Sequence, residues 1–168
     1  MQENPMHAIT VEKVTVNLGC GDDKQKIERA KQLLEMLTEQ KPIVTVSKTR
    51  STFGIPKGKP LWVKVTLRKQ KAEEFFKKVL EAVDNKVKAS QLDAYGNISI
   101  GLKEYIDLPG VKYSHSVGML GFDCAITLKR SGFRIKQRRI QQRNIPKKTK
   151  IYKEEVVSWL ERKGVKVE

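Results

Sequence analysis

Val14, Val16 and Leu18 alternate with Lys13, Thr15 and Asn17, and this two-residue period predicts a strand with one face buried and one open. Gly19 and Gly21 then turn the chain. Ile27, Ala30, Leu33, Leu34 and Leu37 recur at helical spacing behind Asp22 and Asp23, acids that suit the positive end of a helix. Past Pro42, Ile43 to Lys48 reads as a strand and Thr49 to Pro60 as a long loop rich in Gly, Pro and Lys. Leu61 to Arg68 follows as a strand pairing back on the first of these. Ala72 to Val87 reads as a second amphipathic helix, burying Phe75, Phe76, Val79, Leu80 and Val83. Gly96 and Asn97 open a strand through Ile98 and Ile100, and Phe122 to Leu128 reads as the last strand, after a loop containing Pro109, Gly110 and Gly118. The order β-α-β-β-α-β-β predicts an α+β fold, a split βαβ sandwich of the RRM-like kind with both helices on one face of an antiparallel sheet.

The chain has 168 residues, enough for one core, and no internal repeat. Residues 1–128 are expected to form a single α/β domain with residues 49–60 protruding, and residues 129–168 a basic arm and C-terminal helix. That helix, Glu154 to Lys163, has acids in its first turn and Arg162 and Lys163 in its last, as the helix dipole favours. Val156, Val157, Trp159 and Leu160 make it amphipathic, with Trp159 expected as a packing anchor. No leader-like or membrane-length apolar run is present, so a soluble, cytoplasmic protein without a membrane partner is expected. Cys20 and Cys124 lack any paired Cys or His spacing and are expected as two buried thiols.

Charge changes the picture most. Acids are absent from Gln40 to Ala72 and from Cys124 to Lys153, windows that hold 9 and 11 of the 34 Lys and Arg, while the whole chain carries a formal +15. Surfaces selected only for solubility interleave the two signs. Clustered cations bind polyanions by releasing condensed counterions, so nucleic acid is the expected partner. In Leu61 to Arg68 the alternation leaves Lys64, Thr66 and Arg68 on the open face, beside Lys13, Thr15 and Asn17 of the first strand. Cations beside neutral hydrogen-bonding groups suit phosphates and 2′-hydroxyls. The face is expected to lack exposed aromatics, which favours shape and backbone recognition of folded RNA over base stacking. The second window contains Arg134, Lys136, Arg138, Arg139, Arg143, Lys147 and Lys148, has few apolar anchors, and is expected to be loosely held until a polyanion orders it.

Other chemistry is poorly served. Gly19-Cys20-Gly21 follows a strand, but Asp22 and Asp23 occupy the place where a pyrophosphate needs helix amides. The glycines of Gly54 to Pro60 have the wrong spacing for a P-loop. Glu104, Asp107, His115 and Asp123 are the one constellation able to hold magnesium for an RNA-processing enzyme. A coating protein that binds RNA without selection is the other alternative. No enzyme activity, cofactor or metal is expected.

The segments VEKVTVNLGCG, LLEMLTEQKPIVTVSKTRSTFGIPKGKPLWVKVTLR, YGNISIGLKEYIDLPGVKYSHSVGMLGFD and the basic arm closely resemble the large-subunit ribosomal protein family numbered five, the binder of 5S rRNA. The absence of the bacterial amino-terminal helix, with the added arm and final helix, resembles the archaeal form. The resemblance implies a noncatalytic constituent of the central protuberance. Implied partners are 5S rRNA, large-subunit rRNA, peptidyl-site tRNA, a small-subunit head protein across an intersubunit bridge, and neighbouring 5S rRNA-binding ribosomal proteins. Carried over by motif, the 5S rRNA contacts fall on Asn17, Gln40 and Thr66, to which charge adds Lys41, Lys48, Lys64, Arg68 and the arm's cations. The tRNA-facing loop falls on Arg50, Ser51, Thr52, Phe53, Gly54, Lys57 and Lys59, and the bridge on the loop with Lys112 and Tyr113. Three positions depart from the family pattern: Glu39 and Lys69 stand where Gly is usual, and Pro56 where a basic residue is usual.

Overall fold

The computed structural model describes residues 5–52 and 54–167. Ten strands and helices organise it: β1 (Thr10–Gly19), α1 (Lys24–Thr38), β2 (Ile43–Val46), β3 (Pro60–Arg68), α2 (Gln70–Ala82), β4 (Lys86–Val87), β5 (Ile98–Leu102), β6 (Phe122–Lys129), α3 (Lys153–Arg162) and β7 (Lys166–Val167). Five of them form one antiparallel sheet in the order β2-β3-β1-β6-β5. Because β3 lies between β1 and β2, α1 spans a split βαβ unit, whereas α2 leads from β3 toward the edge strand β5, which β1 and β6 separate from β3 in the sheet. The α+β fold expected from the alternation is the fold observed.

The alternation also sets the core. Val14, Val16 and Leu18 of β1, Leu61, Val63, Val65 and Leu67 of β3, and Ile126 and Leu128 of β6 turn toward the helices and are buried. All but Leu61 meet Ile27, Ala30, Leu33 and Leu34 of α1 and Phe75, Phe76, Val79 and Leu80 of α2 in one cluster. Asp23 caps α1: its side chain accepts from the Gln25 and Lys26 amides at 2.9 and 3.3 Å. Those amides are therefore spent inside the fold.

Two departures from the periodicity matter. The second helix ends at Ala82 rather than continuing to Val87, because Asp84 and Asn85 take left-handed conformations (φ 53° and 56°) that no helix continues. The chain then re-enters as β4, which pairs in parallel with β7 and ties the C-terminus to the end of α2. The basic arm, expected to be loosely held, has a defined path. Arg130, only 8% exposed, donates to the His7 carbonyl (3.1 Å), the Lys150 carbonyl (3.2 Å) and Glu155 Oε1 (2.8 Å), clasping both ends of the chain's basic segment. The arm's one internal guanidinium thus replaces the apolar anchors it lacks. Past the arm, α3 joins the same core through Val156 and Leu160, and Trp159 stacks on Phe76 with ring centroids 6.0 Å apart.

Candidate nucleic-acid interface

The face of the sheet turned away from α1 and α2 is ordered by strand register. One row across it reads Ile43, Lys64, Asn17, Asp123 and Gly101; the next reads Thr66, Thr15, Ala125 and Ser99; a third reads Arg68, Lys13 and Thr127. Asn17, Lys64, Thr66 and Arg68 are thereby brought together, with the β3 residues exposed and Asn17 half-buried. Backbone pairing fixes Cβ separations of directly opposed residues at roughly 5 Å, so amide, hydroxyl and cationic groups repeat at close intervals. Asp123 flanks Asn17 on the side away from Lys64, which gives the face an acidic border at β6.

A bulge between Val11 and Lys13 sets Glu12 at the Arg68 end of the open face, where, contacted by the arm, it is 7% exposed. Its Oε1 accepts from Gln137 at 2.8 Å and lies 3.6 Å from an Arg68 guanidinium nitrogen, while Oε2 has no hydrogen-bond partner among the described residues. Gln137 follows a 3-10 turn, Phe133–Lys136, so this contact seats the arm at the edge of the open face. Arg134 and Lys136 lie in that turn, and Lys136 lines a groove between arm and sheet together with Lys13, Thr127, Arg130 and Lys150. Arg139, Arg143 and Lys147 are exposed beyond it, and Arg138 is half-buried, its Nε donating to the Gln141 carbonyl at 2.8 Å. The side chain of Lys148 lies outside the described residues.

The remaining candidates occupy separate places. Gln40 is half-buried and Lys41 exposed in the connection from α1 to β2, at the sheet edge, and Lys48 is exposed past the end of β2. The loop of residues 49–60 is a hairpin: Ser47 and Lys59 pair at its base, Gly58 N donates to the Ser47 carbonyl at 2.8 Å, and Ser51 N to the Ile55 carbonyl at 3.0 Å. Arg50, Thr52, Gly54 and Lys57 are exposed and Ser51 half-buried; Phe53 lies outside the described residues. Lys59 is ion-paired with Asp22 in the turn before α1, so its charge braces the hairpin's base. Lys112 and Tyr113 are exposed on a loop pinned by Tyr105, a fully buried side chain whose hydroxyl accepts from Ser114 N at 2.8 Å. Glu104, Asp107, His115 and Asp123 do not assemble: among the described residues no three His, Cys, Asp or Glu side chains come together as a metal-holding group.

The expectation that the open face lacks exposed aromatics is overturned. Trp62 lies between the buried Leu61 and Val63, shares the face of Lys64, and is 40% exposed, so the face does carry an aromatic. Its parity in the strand carries that signal.

Comparison with known proteins agrees with this geometry. The family described as ribosomal protein L5 matches residues 4–55, and the ribosomal L5P family C-terminus matches residues 60–157. Large ribosomal subunit protein uL5 of Sulfurisphaera tokodaii is 48% identical over 159 residues, covering 94% of this chain and 90% of that protein. The proteins of the same name from Methanobrevibacter smithii and Archaeoglobus fulgidus are 43% and 41% identical, covering 94% and 99% of this chain and 94% and 93% of theirs. The chain belongs to the ribosomal protein L5 family. Membership in the L5 family makes it a structural protein of the large ribosomal subunit, a ribosome-associated RNA binder rather than an enzyme. Among the described residues no helix is long and apolar enough to cross a membrane.

Proposed function

We propose that this L5-family protein anchors to 5S rRNA through the open face of β3 and β1 and that the arm extends the same footprint onto large-subunit rRNA. The observation that carries the reading is the register that sets Asn17 beside Lys64, Thr15 beside Thr66 and Lys13 beside Arg68, since it presents cations and neutral donors together on one rigid surface. Gln40, Lys41 and Lys48 border that surface. Arg134, Lys136, Arg138, Arg139, Arg143, Lys147 and Lys148 supply the arm's phosphate contacts, and Arg130, being satisfied internally, holds the arm in place.

The hairpin around Arg50, Ser51, Thr52, Phe53, Gly54 and Lys57 serves as the peptidyl-site tRNA contact, with Lys59 as its brace. The loop with Lys112 and Tyr113 meets a small-subunit head protein, and flanking surfaces meet the neighbouring 5S rRNA-binding proteins. Photocrosslinking of the protein to 5S rRNA tests the anchor. Crosslinked peptides should come from β1 and β3, and crosslinks confined to the 49–60 hairpin would refute the assignment.

A further inference from the structure

Among the described residues Trp62 is the one large aromatic side chain that the strand alternation sends to the open face, and it is 40% exposed. It sits opposite Gly19 on β1 and Thr45 on β2. Gly19 has no side chain to crowd it: a Cβ built there would lie 3.8 Å from Trp62 Cδ1, so the indole reclines over bare backbone with its far side open. Ile43, on the same face one row away and 64% exposed, adds an apolar shoulder. Covering Gly19 explains why an aromatic is tolerated here, as aromatics often rescue a strand glycine. It does not account for the exposed ring surface.

The surroundings specify what meets that surface. Lys64 is the next open-face residue of β3 and Asn17 its cross-strand partner, so a cation and an amide stand beside the indole. Neither β2 nor β3 contains an acid. A flat π-surface bordered by a cation and a neutral hydrogen-bonding group matches a nucleotide, with its base stacked, its phosphate against the ammonium and its ribose or base edge against the amide. An apolar side chain from a protein partner would use Trp62 and Ile43 but would leave Lys64 without an anion.

We infer that Trp62 is a base-stacking platform at the β2–β3 end of the open face, binding an unpaired nucleotide of the RNA. The inference rests on the open-face reading and adds to it that the bound RNA presents at least one base outside its helical stack. It also places a sequence-tolerant contact beside the shape-reading ones.

Oligoadenylate and an abasic ribose-phosphate oligomer of equal length separate the two ideas, because they carry the same charge and differ only in bases. The full-length protein should bind oligoadenylate about five- to 100-fold more tightly than the abasic oligomer. Oligoadenylate alone should quench the tryptophan fluorescence. Trp62→Ala should abolish both the preference and the quenching without altering the salt dependence, whereas Trp62→Phe, which keeps a smaller ring, should restore part of the preference. Lys64→Ala with Arg68→Ala should weaken both oligomers alike and leave the preference intact. Equal binding of the two oligomers by the unaltered protein, or an unchanged preference in a folded Trp62→Ala variant, overturns the platform, including the case where Ile43 contacts a protein instead. Indifference of both oligomers to the Lys64 and Arg68 changes refutes the open-face reading separately.

Discussion

Glu39 and Lys69 show what a single residue reveals when its backbone is known. Both stand where the resemblance leads one to expect glycine, and both adopt positive φ, 51° and 57°. Glu39 closes α1 in the left-handed conformation that glycine favours at helix ends. Lys69, at φ 57° and ψ −137°, precedes α2 in a region that side chains disfavour more strongly. Glu39→Gly is expected to stabilise the fold by about 1 kcal/mol and Lys69→Gly by about 1–3 kcal/mol, read as higher urea midpoints. The exposed Glu39–Lys71 pair, 3.9 Å apart, is too weak to offset the first gain. The cysteines give a second residue-scale expectation. Burial, then the neighbouring Asp123 charge, pushes the Cys124 thiol up to about 12, and burial also raises Cys20 despite the opposing pull of Lys26. Neither thiol should react with a thiol reagent at pH 8 until the protein unfolds, as a denaturant titration followed by labelling will show.

Elements were legible wherever one face is buried against a broad partner. β1, α1, β3 and β6 follow from periods of two and 3.6 because each contributes a full stripe to the core. β4 and β7 were not legible: two residues each is too short for a period, and their pairing joins positions 80 residues apart. The arm's anchor was not legible for a related reason, since it is a buried guanidinium that counts as one more surface charge in the sequence. This anchor depends on pH. Burial raises the Glu155 carboxyl, but the Arg130 hydrogen bond, the Tyr152 amide bond and the Arg130 charge outweigh it and hold the pKa below its ordinary 4.5. A carboxyl depressed in the folded state stabilises the fold fully above its unfolded value, and the contribution disappears as pH falls through the folded one. The difference in urea midpoint between the natural protein and Glu155→Gln should therefore be constant at neutral pH and shrink below about pH 4.5. Gly96 offers a complementary test of how α3 docks. Its φ is +76°, and a Cβ there would lie 2.6 Å from Val156 Cγ2 and 2.9 Å from Ile151 Cγ2. Gly96→Ala should speed amide exchange in α3 while leaving the exchange in β1 and β3 little changed.

At the scale of the whole molecule, the two acid-free windows meet. The first supplies β2, the hairpin and β3; the second supplies most of β6 and the arm, and the Glu12–Gln137 contact joins arm to sheet beside Arg68. Charge segregated along the sequence thus becomes one basic surface in space. Its sharpest consequence is a division of labour among open-face residues. Affinity for 5S rRNA, measured against salt concentration for the natural protein and for Asn17→Ala, Thr66→Ala, Lys64→Ala and Arg68→Ala, reads that division directly. The neutral pair should lose affinity with an unchanged salt slope. The cationic pair should lose affinity and flatten the slope by about 0.7 to 0.9 for each phosphate contact removed. Four folded variants that bind 5S rRNA as tightly as the natural protein, with the same slope, would contradict the placement of the RNA on this face.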